Sequence, residues 1–173
     1  MPSSLTTERL HLRPPVEDDR TRFVELFGDE EFMVFSGGVL DEPAANARFD
    51  GMLARAAEIP FAKQPVIERS SGLIVGYSGV NRFEFEGEDR LEYGYRLAPA
   101  ARGQGFATEA AQALLELAAQ TFDGEILAMI DPRNIPLQKV IAKLGFVYWK
   151  QAEADGFLDN LYRRRVGEPA NCR

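Results

Sequence analysis

The run Arg102-Gly103-Gln104-Gly105-Phe106-Ala107 joins two glycines and an arginine to the start of a helix-like segment. That combination suits a phosphate. The first N–H groups of a helix have no partner inside it, and the helix dipole puts partial positive charge there. Gly103 and Gly105 carry no side chain, so an anion can approach the main chain closely. Arg102 adds a permanent charge with forked donors. No Gly-Lys-Ser/Thr follows, so the turn is not a Walker loop. Thr108 stands where a dinucleotide fingerprint needs its third glycine. The run reads as a pyrophosphate-binding loop of another kind.

The flanking elements must hold this loop in place. Residues 91–97 alternate like a strand and deliver the chain into it. Residues 107–122 carry Ala107, Ala110, Leu114, Leu117 and Ala118 on one helical face and lead the chain away. Upstream, residues 8–13 read as a strand. Val16, Phe23, Val24 and Phe27 mark a first helix. Residues 30–38 form a loop or short helix. Pro43 opens a second helix whose Phe49, Met52, Leu53 and Ala56 share a face. Residues 65–68 and 73–85 read as a hairpin around Gly72. Downstream, residues 126–130 form a strand. Asn134 caps a last helix with Leu137, Val140, Ile141 and Leu144 inward, and Gly145 ends it. Residues 146–150 and 157–166 close the chain as a hairpin. The order βααβββαβαββ implies an α+β fold: a mixed, mostly antiparallel sheet of about seven strands flanked by four helices.

At 173 residues the chain reads as one domain, 1–173, with a loose tail over 167–173. No apolar run approaches the ~18 residues of a membrane span, and no signal-peptide pattern opens the chain. Cys172 is the single cysteine, so no internal disulfide can form and a cytoplasmic location fits. His11 is the single histidine and reads as structural. Zinc clusters and Ser-His-Asp triads are thereby excluded. The net charge of −7 disfavours nucleic acid. It suits a cationic acceptor mildly, or solubility alone.

Residues 91–110 as a whole resemble the acyl-CoA-binding core of the GNAT superfamily of N-acetyltransferases, whose loop pattern is Q/R-x-x-G-x-G/A on a strand–loop–helix. Thr7-Glu8-Arg9-Leu10-His11-Leu12-Arg13-Pro14 and the stretch from Asn134 to Lys143-Leu144-Gly145-Phe146 also match. Together they look like the branch with the ribosomal-protein alanine acetyltransferases, the RimJ/RimL type. The resemblance runs from about residue 5 to 165. It implies the GNAT fold, a splay between the fourth and fifth strands that admits pantetheine, and acetyl-CoA as acyl donor. It also implies a primary amine as acceptor, either a small molecule or a peptide N-terminus. A homodimer is open. The implied cofactor-binding set is Leu97, Arg102, Gly103, Gln104, Gly105, Phe106, Ala107, Thr108, Asn134 and Lys139. Within it, Phe106 also reads as a core residue, Asn134 as a helix cap and Lys139 as a solvated lysine.

Acyl transfer to an amine needs the amine neutral. An α-amine of pKa ~7.7–8.0 is neutral in about a tenth of molecules at pH 7, and a lysine of ~10.4 in about a thousandth, so lysine-like acceptors need a base more. Glu92 is the candidate base. It alternates with apolar neighbours and so projects from the other face of its strand. Many GNAT enzymes carry a glutamate there in that role. Its competing reading is an ion pair with Arg90 or Arg96. A general acid is missing. Ile141 stands where many members have tyrosine, and Leu137 where the alanine-acetyltransferase branch often has serine. That gap supports a second reading, a catalytically silent acyl-CoA-binding sensor or interaction module. The acceptor is expected between residues 30–38, the start of the second helix and Phe83-Glu84-Phe85, near an acidic turn of Glu84, Glu86, Glu88 and Asp89.

Overall fold

The computed structural model describes residues 4–154 and 156–167. Cys172 and most of the expected tail lie outside them. The elements are β1 (Leu5–Thr6), β2 (Leu10–Leu12), α1 (Arg20–Phe27), α2 (Glu42–Glu58), β3 (Gln64–Glu68), β4 (Ile74–Phe85), β5 (Glu88–Leu97), α3 (Phe106–Thr121), β6 (Gly124–Ile130), α4 (Ile135–Lys143), β7 (Val147–Ala154) and β8 (Phe157–Val166). The sheet order is β1-β2-β3-β4-β5-β6-β8-β7. Every neighbouring pair is antiparallel except β5 and β6. Eight strands stand where about seven are expected, because the two-residue β1 pairs with β2 ahead of the first strand legible in the pattern. The expected fourth and fifth strands are thus β5 and β6.

The parallel pair is what shapes the site. β5 and β6 pair only at Leu91↔Ile126 and Glu92↔Leu127, although both strands continue further. Beyond Glu92 they diverge into a fork. The β6 side of residues 93–97 then has no strand partner, so main-chain groups there are open to a ligand.

Two layers cover the sheet. On one face α3 and α4 bury Leu114, Ala118 and Ile141 against Leu91, Tyr93 and Ile126. On the other, α1 and α2 close over Phe23, Phe27, Phe32, Phe49 and Tyr77. Helix α2 starts where Asp41 accepts the Ala44 N–H at 2.9 Å and Pro43 occupies the first turn. Asp19 is buried and anchors α1, accepting two bonds from Arg13 at 2.7 and 2.8 Å and one from the Val16 N–H. His11 bonds Thr6 Oγ1 and Ser4 Oγ, the structural role its sequence context suggests.

One glycine governs the second face. The segment 61–63 crosses over β4 at Gly79, held by Val80 N–H to Phe61 O at 3.1 Å and Lys63 N–H to Val80 O at 3.2 Å. A Cβ on Gly79 would stand 2.4 Å from the Ala62 carbonyl oxygen, and its φ is +147°. Gly79→Ala is therefore expected to cost about 2–4 kcal/mol, since neither backbone can yield cheaply. Urea unfolding of the variant measures this, and an unchanged midpoint would contradict the close crossing.

Candidate active site

The phosphate loop forms as its residue types require. Gly105 is the N-cap of α3 in the left-handed region at φ +81°, and Gly103 has φ +74°. No side chain caps α3, so the first N–H groups of Phe106, Ala107 and Thr108 face outward without an intrahelical acceptor. A cleft of about 580 Å³ opens in front of them. Its wall includes Leu97, Arg102, Gly103, Gly105, Phe106, Ala107, Thr108, Asn134 and Lys139. Gln104 is the one expected cofactor residue outside this wall. Its side chain turns back to donate to Ala100 O at 3.1 Å, and its carbonyl accepts from Arg9 at 2.6 Å.

Three of these residues serve the fold as well. Arg102 donates to Leu97 O at 3.1 Å and to Glu31 O at 2.9 Å, tying the loop to residues 30–38. Its charge stays at the cleft while part of its fork is spent on carbonyls. Asn134 caps α4, accepting the Leu137 N–H at 3.3 Å. Phe106 is buried beneath the Arg9 guanidinium, which lies 4.7 Å from its ring centroid.

Sequence reasoning missed the brace behind the loop. Glu109, in the first turn of α3, accepts from Thr7 Oγ1 at 2.6 Å, Arg9 N–H at 2.8 Å and Arg9 Nε at 2.7 Å. Arg9 Nη2 stands 3.3 Å from where a Cβ on Gly105 would be. The N-terminal segment thus locks the loop from behind. Partial burial opposes ionisation of Glu109, but the bonds from Thr7 and Arg9 outweigh it and hold the carboxyl below its ordinary range. A lowered carboxyl pKa adds stability that is full above the unfolded value, about 4.3, and is lost as pH falls through the native value. Glu109→Gln is therefore expected to lower the melting temperature at neutral pH, with the difference shrinking in acid. A difference that persists undiminished in acid would contradict this.

The apolar part of the cleft comes from Leu97, Pro136, Leu137 and Val140, with Phe32, Val34 and Phe35 of residues 30–38. Lys143 joins Lys139 there, one turn along the same helix face, a signal available in the i, i+4 spacing. Tyr95 also lines the wall. Burial, partly offset by Arg102, pushes its phenol up to about 12. Ile141 is fully buried in the core and is not part of this cleft's wall.

Glu92 is outside the cleft wall. It sits on the face of β5 that also carries Gly94 and Arg96, at the last paired position before the fork. The alternative ion pair with Arg90 or Arg96 does not form. Arg90 pairs with Glu88 at 2.7 Å and Glu125 at 3.4 Å, while Arg96 donates to Phe32 O at 3.3 Å. Among the described residues Glu92 has no ion-pair partner. Its Oε1 and the Lys63 Nζ lie 3.8 and 3.7 Å from the Cβ position that Gly94 leaves empty.

Three of the four carboxylates of the acidic turn are paired, and Glu84 is exposed with no ion pair among the described residues. Asp89 pairs with Arg82, Glu88 with Arg90 and Glu86 with Lys150. Phe83 and Phe85 pack with Leu127, Met129, Leu161 and Trp149 as a small cluster of their own. A second cleft, of about 490 Å³, lies among Arg82, Asp89, Arg90, Phe122 and Glu125 and shares no wall with the loop. Among the described residues no group of three His, Cys, Asp or Glu side chains is placed to hold a metal. No helix there is long and apolar enough to cross a membrane.

The fork between two parallel strands opens beside a glycine loop at a helix N-terminus, with Glu92 at its vertex. The chain belongs to the GNAT acetyltransferase family: the family model described as Acetyltransferase (GNAT) domain matches residues 9–147. The uncharacterized N-acetyltransferase YnaD of Bacillus subtilis (strain 168) is 32% identical over 143 residues, covering 82% of this chain and 81% of that protein. The acetyltransferase from Agrobacterium tumefaciens strain C58 superposes with a TM-score of 0.81 at 26% identity, covering 94% of each chain. Mycobacterium smegmatis RimJ, solved in complex with CoA-disulfide, shares the fold with a TM-score of 0.74 at 20% identity, covering 95% of this chain and 88% of its own. GNAT acetyltransferases use acetyl-CoA.

Proposed function

We propose that this chain is an acetyl-CoA-dependent N-acetyltransferase that acetylates a primary amine by direct attack, with no covalent enzyme intermediate. The observation that carries the proposal is the fork: the strands part immediately beyond Glu92, and the cleft in front of the loop is walled by β5, α3 and α4. Acetyl-CoA supplies an activated thioester carbonyl. Everything else comes from the chain.

The N–H groups of Phe106, Ala107 and Thr108 bind a pyrophosphate, with Arg102, Lys139 and Lys143 adding charge. The open edge of 93–97 orients an amide-bearing arm along β5. Leu137 and Val140 exclude water beside it. Holding the reactants together removes much of the entropic cost of their encounter. Glu92 accepts the proton of the acceptor amine, directly or through one water, as the new C–N bond forms and the C–S bond breaks. The sulfur leaves as a thiolate, its thiol pKa being about 8.5, and takes a proton from water or the one the amine released. Tyr95 Oη keeps its own proton through the neutral range in the cleft wall.

The matching segments at 7–14 and 134–146, together with the RimJ fold neighbour, support the RimJ/RimL branch. The alternative, a silent acyl-CoA-binding module, is favoured by one observation. Leu137 and the buried Ile141 leave α4 without a proton donor at either expected position. A calorimetric titration with acetyl-CoA tests the cofactor reading. Saturable micromolar binding is expected, and no binding would end it.

A further inference from the structure

The face of the sheet that carries Glu92 holds a second charged cluster, which meets the loop cleft at Arg96. Lys63 Nζ lies 5.4 Å from the Tyr77 ring centroid. Arg96 stands directly across the strand pair from Tyr77. Arg48 reaches in from α2 over the Phe27 ring at 5.2 Å. All three are half-buried, and among the described residues none has a carboxylate partner. Arginines elsewhere are commonly paired, as Arg9 is with Glu109 and Arg13 with Asp19. Leaving three half-buried cations unpaired in a chain of net charge −7 is costly. Their summed field overcomes burial, which by itself would raise the Tyr77 phenol, and lowers it instead.

The cluster has a definite relation to the candidate base. Lys63 and Glu92 converge on the space above Gly94, each within 4 Å of its absent Cβ. Lys63 is delivered there by the crossing of 61–63 over Gly79, so the ammonium is placed by the backbone. Neither Lys63 nor Arg48 lines the loop cleft, whose cations are Arg96, Arg102, Lys139 and Lys143, so Arg96 stands where the cluster meets the cleft. Lys63 and Arg48 are therefore available to an anion other than the one at the loop, with Arg96 at the boundary.

We infer that the acceptor is a small primary amine that also carries a carboxylate or similarly compact anion a few bonds away, its amine at Glu92 and its anion held by Lys63, Arg48 and Arg96. This rests on the proposed acetyltransferase reading and narrows it to amino-acid-like acceptors. A charge-assisted hydrogen bond at a half-buried site is a strong discriminator, because a neutral analogue leaves the cations without a partner.

The test is steady-state thiol release from acetyl-CoA with a panel of free amino acids and the matching amino-acid amides, for the wild type, Lys63→Gln and Lys63→Arg. The expected result is a kcat/KM at least ~10-fold higher for the free acid of the best pair, about 1.4 kcal/mol. Lys63→Gln should bring that ratio towards one with the KM for acetyl-CoA unchanged, and Lys63→Arg should keep the preference. Equal or better turnover of the amides would overturn the inference, as would acetyl-CoA binding with no turnover of any free acid. Both outcomes leave the cofactor reading standing. Loss of acetyl-CoA binding itself would instead remove the transferase reading, and this inference with it.

Discussion

Gly105→Trp will abolish acetyl-CoA binding while leaving the chain folded. Gly105 caps α3 at φ +81°, a conformation that costs a non-glycine residue roughly 1–2 kcal/mol. Gly105 is part of the wall that Gly103, Phe106 and Ala107 share, so a bulky side chain there must distort the loop. Its Cβ would also press on Arg9 Nη2, only 3.3 Å away, and disturb the brace to Glu109. The α3 core does not depend on this residue, because Ala110, Ala111 and Leu114 are buried further along. Weakening by at least ~100-fold in Kd, near 2.7 kcal/mol, is expected from calorimetry, with cooperative melting retained. Binding within about threefold of wild type would mean that the loop is not where the pyrophosphate lies.

Glu92→Gln will slow turnover on the order of 100- to 1000-fold without weakening acetyl-CoA. The substitution is nearly isosteric and breaks no ion pair, since none forms among the described residues. It also lies outside the cleft wall, so the cofactor should not feel it. The loss should deepen at lower pH. Below its pKa the acceptor amine arrives protonated, and a carboxamide cannot take that proton. At alkaline pH more of the amine arrives neutral and the variant should recover part of its rate. A pH profile of kcat for both proteins separates this from a structural role, which would lower the rate evenly. Unchanged activity at about pH 6.5, well below amine pKa values, would remove Glu92 from the mechanism.

Local chemistry in this protein was legible in the sequence, and long-range placement was not. The loop, the Asn134 cap, the Gly145 terminus and the inward stripe of α3 follow from residue type and helical spacing. The resemblance, not the periodicity, implied the splay, and the pairing of only two residues between β5 and β6 matches it. The Arg9–Glu109 brace joins residues 100 positions apart, and no local pattern announces such a contact. Lys63 was invisible for a similar reason. Its place depends on a backbone crossing at Gly79, where a glycine inside a strand signals close approach without naming the partner. Gln104 fits the loop motif by type, yet a nearer acceptor, Ala100 O, takes its side chain out of the cleft. Glu92 was assigned to the right face by alternation, but its position at the vertex of the fork required the register of β6. The acidic turn looked free because Lys150, which pairs with Glu86, lies 64 residues further on.

The most direct test is amine-dependent thiol release, with the product identified by mass spectrometry. Acetyl-CoA is incubated with the wild-type chain and a library of primary amines at mildly alkaline pH, where α-amines are largely neutral. Release that requires both chain and amine is expected, with one acetamide formed per thiol. Saturable acetyl-CoA binding without amine-dependent release from any amine would contradict it, and would make this chain a silent acyl-CoA-binding module on a GNAT fold.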